Sequence, residues 1–178
     1  DLTQKYGRLM EIIRDKLSKM FPSRNVRGNL RAPIFIYSSQ ENFINGDDFA
    51  RWGGRGLGGY YNPISQAITT FHGTFGFTGT TFGVLCHEGT HYYQGLVLKK
   101  FDNVPIWLIE GLAVYLGDGS IFDPEKQRIS VGNIPRDRLA HIQDKMASGR
   151  HTHIDELVAM DRRSGKFTGS THADAWAR

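Results

Sequence analysis

The side chains of His87, Glu88, His91 and Glu110 have the types and the spacing that a hydrolytic metal site requires. Residues four apart on a helix lie on one face, about 6 Å apart along the axis, so the two imidazoles can bind one ion. Glu88 follows the first histidine in the pattern H-E-x-x-H, in which the glutamate is a general base beside zinc. Eighteen residues lie between His91 and Glu110. Glu110 would complete a set of two imidazoles and one carboxylate and leave the fourth coordination position of the metal open for water.

Two helices must position these side chains. Thr80 and Thr81 supply candidate hydroxyls for an N-cap and an apolar run follows them, so the first helix is expected to begin before His87. The second helix is bounded by Pro105, which fits a first helical turn, and by Gly117, which can end a helix. It is apolar around Glu110 on all sides, which predicts a buried helix. A buried carboxylate needs a partner, and either a metal ion or a salt bridge would provide one.

Together the two segments resemble the gluzincin branch of the MA-type metallopeptidases, with H-E-x-x-H, eighteen residues, and then E-G-x-A. Residues 107–113 are similar to the W-L-x-E-G-x-A signature of aminopeptidase N-like members. The span 59–176 resembles small bacterial peptidase-MA-like domains of the same superfamily. Its outer similarities are a G-x-Y hairpin at 59–61, an R-x-R-L-A helix at 136–140 and a segment like Y-A-x-x-W-A at 172–177.

The resemblance implies an α+β fold of the thermolysin-like (zincin) type, in which a small mixed sheet with a β-hairpin edge packs on the zinc-binding helix and a mostly helical part follows. It implies a zinc-dependent peptidase that acts on a peptide or protein substrate. His87, His91 and Glu110 would bind Zn²⁺, which lowers the pKa of bound water, and Glu88 would take the proton. His172 stands where the family usually has Tyr, and is expected to donate a hydrogen bond to the tetrahedral oxyanion. A surface histidine near the chain end is the alternative.

Residues 60–71 are predicted to form a hairpin with a turn at 62–65. By analogy with gluzincins, Ala67–Thr70 is expected to be the edge strand that binds extended substrate, and an ordinary structural hairpin is the alternative. The remaining predictions are a helix over 2–20, a buried strand at 34–37, a short helix or turn at 41–49, and helices at about 136–147 and at 153–160, the last capped by Thr152 and Asp155.

Composition fits a single domain over 1–178, with an αβ part at 1–100 and a helical part at 101–178. The chain is 39% hydrophobic and 22% charged, which suffices for a normal core. Its single cysteine, Cys86, is expected to lie in that core and does not reveal the redox compartment. An Ala-rich helix starts near Trp176, so the helical part is expected to be short or truncated.

The net charge is +4, and the basic residues are spread along the chain, which argues against a nucleic-acid partner. No stretch approaches eighteen apolar residues, so no membrane span is expected. The N-terminus lacks a signal-peptide core and begins at Asp1, which leaves an upstream leader or domain open. The sequence decides neither the compartment, for which secretion or a periplasmic location stays open, nor the oligomeric state.

Weaker patterns have ordinary alternatives. The glycine-rich segment 52–59 is expected to be a loop at the rim of the cleft. His151 and His153 suggest a second metal site, but solvent-exposed histidines are expected. Asp118 and Asp123 suggest calcium, but their spacing matches no EF-hand, which favours a solvated loop.

Two other functions compete with hydrolysis. One is an inactive zincin-fold binding module of a larger protein, which the intact Glu88 disfavours because a structural metal site needs no base. The other is a basic nucleic-acid-binding domain, whose affinity would fall steeply with salt.

Overall fold

The structure is a computed structural model, and it describes residues 2–23, 31–53, 56–75, 79–98, 104–123, 125–126 and 128–160. Helices and small sheets alternate in these ranges, in agreement with the expected α+β class. The helices are α1 (Leu2–Met20), α2 (Gln40–Gly46), α3 (Asp48–Gly53), α4 (Thr81–Val97), α5 (Ile106–Leu116), α6 (Arg136–Ala147) and α7 (Ile154–Val158). The strands are β1 (Ile34–Tyr37), β2 (Gly59–Asn62), β3 (Ala67–Phe71), β4 (Thr74–Phe75), β5 (Gly79–Thr80), β6 (Ile121–Asp123) and β7 (Arg128–Ser130).

The main sheet has the order β1-β3-β2, with β1 parallel and β2 antiparallel to β3. All five residues of β3 are buried, as expected for a strand that has a neighbour on each side. The expectation that Ala67–Thr70 forms an edge strand beside the helix with His87 and His91 is therefore wrong, because β3 is paired with β1 on one side and with β2 on the other. The edge strand that packs on α4 is β2. At the other edge, β1 is a strand as predicted, but its Phe35 is 56% exposed.

Close packing brings β2 against α4. A Cβ atom at Gly59 would lie only 2.6 Å from Cγ1 of Val84 and 2.8 Å from the carbonyl oxygen of Thr69, so glycine lets the strand approach the helix. The predicted turn follows β2, where Asn62 Oδ1 accepts hydrogen bonds from the N–H groups of Ile64 and Ser65. This Asx-type turn directs the chain into β3.

The core lies between α1, the main sheet and α4. The predicted helix over 2–20 is confirmed, and it buries Leu9, Ile13 and Leu17 at helical spacing. Cys86 lies in the same core, as expected. Gly89 of α4 faces α1, since a Cβ there would lie 2.9 Å from Cε of Met10. Among the described helices, none has the length and apolar character needed to cross a bilayer.

The part after α5 is less buried than the core. Strands β6 and β7 form a small hairpin. Neither α6 nor α7 contains a fully buried residue. The predicted capping box of Thr152 and Asp155 is wrong, because the N-cap of α7 is His153 and no side chain caps it.

Candidate metal centre

Helix α4 begins where the sequence predicts. The hydroxyl of Thr80 caps it by accepting a hydrogen bond from the N–H of Gly83 at 3.4 Å. The helix spacing then brings the rings of His87 and His91 together, with centroids 4.8 Å apart. Both imidazoles face α5 from the inner side of α4, and the side chain of His87 is almost completely buried.

Helix α5 carries the third member of the site. It packs on α4, its residues Ile109 and Ala113 are buried, and its Glu110 lies beside both histidines. The prediction that α5 is buried on all sides is wrong for the described part of the chain, because Leu108 is 45% and Tyr115 is 47% exposed. The helix ends at Gly117, as expected.

Three donor atoms from these helices converge on one point. Nε2 of His91 lies 3.1 Å from Nε2 of His87 and 3.2 Å from Oε2 of Glu110, and the third side of the triangle is 3.7 Å. Ligands that are about 2.0–2.1 Å from a common tetrahedral centre are about 3.3 Å from one another. The group can therefore hold a metal ion, and within the described residues no other set of three His, Cys, Asp or Glu side chains does so.

One oxygen of the Glu110 carboxylate is buried in a way that a bound cation would stabilise. The Oε2 atom is buried and accepts no hydrogen bond of suitable geometry, although two ring nitrogens lie beside it. A buried acceptor without a hydrogen bond is destabilising unless a cation or donor compensates it. Coordination of a metal ion by this atom would supply that compensation, so the donor set fits the metal.

Without a metal, the same atoms form an ion pair. Burial by itself raises the pKa of Glu110, but the imidazoles of His87 and His91 outweigh it and hold that pKa below its usual range. Burial lowers the pKa of His91, but the nearby carboxylates of Glu110 and Glu88 outweigh burial and raise that pKa to about 9. The salt bridge that the sequence leaves open and a metal site are thus alternatives for one group of residues, since a metal ion would replace the proton of His91.

Glu88 lines a small cavity together with His87, the first of the three candidate ligands. The residue is buried, at 7% exposure, and the cavity has about 30 Å³ of space for water, enough for about one molecule. The wall consists of segment 56–59, Val84, His87, Glu88, Asp118 and Arg138. The structure therefore places Glu88 with the first histidine at a water-sized space, and residues 56–59 of the glycine-rich segment line it. The expected loop over 52–59 is only partly formed, because residues 52 and 53 belong to α3 and Gly59 to β2.

Sequence reasoning missed the ion pair in this wall. Nε of Arg138 donates to Oδ2 of Asp118 at 2.6 Å, and Nη2 contacts the same oxygen. The two side chains are 17% and 10% exposed, so the expectation of a solvated loop is wrong for Asp118. It is wrong for Asp123 as well, because Asp123 ends strand β6, and its Oδ1 accepts hydrogen bonds from the N–H groups of Glu125 and Lys126 in the turn that follows.

Gln94 is the second residue that the sequence did not reveal. Its Oε1 lies 3.0 Å from Nδ1 of His91, and its Nε2 donates to the carbonyl of Ile109 at 3.0 Å. Its position in the sequence could have indicated this contact, since Gln94 lies three residues after His91 and on the same face of the helix.

Two other predictions have different outcomes. The rings of His151 and His153 lie 4.8 Å apart, but no third ligand joins them in the described segments, so the second metal site is not formed there. His172 lies outside the described residues, as does the whole segment 161–178, and its role as an oxyanion donor stays a prediction.

In comparisons with known proteins, the chain matches no family model, no curated protein and no solved structure.

Proposed function

We propose that this protein is a zinc-dependent peptidase of the gluzincin type with a zincin-like fold. The observation that carries the proposal is the convergence of His87, His91 and Glu110 within 3.7 Å of one another, beside a cavity that contains Glu88. A purely structural zinc site is closed by four protein ligands, whereas a site with three keeps a position for water. Three ligands next to a base therefore favour hydrolysis over a structural or binding role.

The chemistry follows from this arrangement. Zinc, when bound, lowers the pKa of a water molecule from about 15.7 to about 7 and polarises a carbonyl group. Glu88 accepts the proton of the attacking water in the cavity, and then donates it to the leaving amine. Its burial keeps bulk water away from this transfer, and the cavity beside the carboxylate has room for about one water molecule.

An extended peptide can enter along β2. This strand is an edge of the main sheet, and its first residue, Gly59, lines the cavity together with Glu88. Edge strands bind extended peptides by adding a strand through main-chain hydrogen bonds. We therefore assign to Gly59–Asn62 the substrate-binding role that the sequence assigned to Ala67–Thr70.

Arg138 contributes a fixed positive charge to the same cavity. Asp118 holds its guanidinium at Nε and Nη2, which restricts the side chain to the cavity wall. We assign this charge to the orientation of the substrate, because guanidinium groups bind carbonyl and carboxylate oxygens through several N–H donors.

The test combines metal analysis with cleavage of a peptide library. The zinc-loaded protein should cleave peptides, a chelator should stop cleavage, and added zinc should restore it. Glu88→Gln should keep zinc and lose turnover by several orders of magnitude, whereas Glu110→Gln should lose zinc. Glu41→Gln, at an exposed position, is the matched control and should behave as wild type.

Full turnover of Glu88→Gln would refute the assigned base. Zinc binding without cleavage of any peptide would instead favour the binding module, and failure to bind zinc after reconstitution would refute the whole proposal.

A further inference from the structure

We propose that Gln94 is a positioning residue that sets the tautomer of His91 and joins the two helices of the metal centre. The inference rests on the proposed zinc site but requires no hydrolysis. Gln94 is buried on α4, at 6% exposure, three residues after His91. Residues at this spacing are neighbours on a helix surface.

The two ends of the Gln94 carboxamide have different partners. Nε2 lies 3.0 Å from the main-chain carbonyl oxygen of Ile109, and Oε1 lies 3.0 Å from Nδ1 of His91. A carbonyl oxygen can only accept a hydrogen bond, so the NH₂ group must face Ile109. The orientation of the carboxamide, which is otherwise assigned from its network, is thereby determined.

This orientation determines which ring nitrogen of His91 carries hydrogen. Because Oε1 can only accept, Nδ1 must be the donor. In the neutral ring the free lone pair is then on Nε2, and Nε2 is the atom that faces His87 and Glu110 at 3.1 and 3.2 Å. Gln94 thus directs the nitrogen that can bind a metal toward the other two ligands, as partners of metal-binding histidines commonly do.

The second hydrogen bond acts on the carboxylate ligand. Ile109 precedes Glu110 on α5, so the bond from Gln94 ties α4 to the peptide group beside this ligand. The bond is buried, where water competes little and an unpaired group would be costly. One side chain therefore fixes the ring of one ligand and the helix position of another.

The experiment compares Gln94→Leu with Thr90→Val. Leucine keeps similar volume and helix propensity but makes neither hydrogen bond. Thr90 is the matched control because it is buried on the same helix and its hydroxyl donates to the carbonyl of Cys86 at 2.8 Å, not to a ligand. Zinc affinity is measured by chelator competition, and the ligand field by the visible spectrum of the Co²⁺-loaded proteins.

Gln94→Leu should weaken zinc binding by about 10–100-fold and change the Co²⁺ spectrum, whereas Thr90→Val should leave both close to wild type. Gln94→Glu keeps an acceptor toward Nδ1 of His91 and should retain more affinity than the leucine variant. In the zinc-loaded wild type, ¹H–¹⁵N spectra should show hydrogen on Nδ1 of His91 and the metal on Nε2.

Wild-type zinc affinity in folded Gln94→Leu, or a metal bound to Nδ1 of His91, would overturn the role of Gln94 and leave the metal site standing. If Gln94→Leu does not fold, Gln94→Glu and the wild-type spectra decide the question. A wild-type protein that binds no zinc would overturn both this inference and the proposed function.

Discussion

Gly117 packs directly against the main chain of His87. A Cβ atom at position 117 would lie 2.8 Å from Cβ and 2.9 Å from Cα of His87, and 2.6 Å from the carbonyl oxygen of Ala113. None of these atoms belongs to a flexible side-chain end, so relief requires the backbone of α4 or α5 to move. The end of α5 and His87 of α4 are thus in contact at position 117, where only glycine fits without a clash.

Gly117→Ala should therefore be destabilising and should weaken zinc binding. Overpacking of this kind costs about 1–3 kcal/mol, measured as a lower midpoint in urea unfolding. Gly111→Ala on the same helix is the control, since a Cβ there meets nothing within 4 Å and alanine favours a helix by up to about 1 kcal/mol. Equal stability of the two variants would contradict the close contact.

The metal-stripped protein should lose stability as the pH rises from about 6.5 to about 9. The pKa of His91 is raised from 6.5 to about 9, so its contribution is complete below 6.5 and is lost as the pH rises through the folded-state value. One pKa unit corresponds to about 1.4 kcal/mol, so a loss of more than about 1 kcal/mol is expected.

At the acid end, the pKa of Glu110 lies below its ordinary value of 4.5. Its contribution is present above 4.5 and is lost as the pH falls further. Urea unfolding of the metal-stripped protein at a series of pH values measures the loss of stability at both the acid and the alkaline end. His91→Gln is the control in which the loss between pH 6.5 and 9 should disappear. A flat profile between pH 6.5 and 9 would show that the ion pair does not form.

The largely buried pair of Asp118 and Arg138 should contribute more to the free energy of unfolding than an exposed pair does. Asp118→Asn leaves the guanidinium without its charge partner in a cavity wall, which costs about 3 kcal/mol. Asp15→Asn removes a solvent-exposed partner of Lys19 and should cost less than about 1 kcal/mol. Combining Asp118→Asn with Arg138→Met should recover part of the loss in a double-mutant cycle, and a simple sum of the two losses would argue against their coupling.

Main-chain recognition by β2 predicts sensitivity to the peptide backbone. Methylation of single amide nitrogens in a cleaved peptide should slow cleavage at alternate positions, because only every second residue of an added strand hydrogen-bonds to β2. The measurement is the relative kcat/KM of a series of N-methyl peptides with one side-chain sequence. Uniform effects along the series would be inconsistent with strand addition.

Local signals in the sequence predicted the elements that carry the ligands. The cap at Thr80 and the apolar periodicity of α1 depend on residues within one or two turns of each other, so the sequence contains them directly. The spacing of His87 and His91 is likewise a local signal, because the two residues lie about one helical turn apart. Glu110 could be placed beside them because it is the only carboxylate in α5.

Nonlocal pairing explains what was missed. The central position of β3 depends on its parallel partner β1, which lies some thirty residues earlier and carries no sign of that pairing. Asp118 is buried because Arg138, twenty residues later, supplies a charge to pair with it. The role of Gln94 depends on how α5 packs on α4, which no spacing within α4 expresses.

Cys86 precedes His87, the first histidine of the candidate metal centre, and is only 1% exposed, with burial raising the pKa of its thiol well above its usual range. The native protein should therefore resist alkylation, since thiolates are the reactive form. A thiol reagent reaches Cys86 only when α4 opens. The labelling rate therefore measures how often this helix opens locally. Zinc should slow this labelling in proportion to how firmly it holds the helix closed.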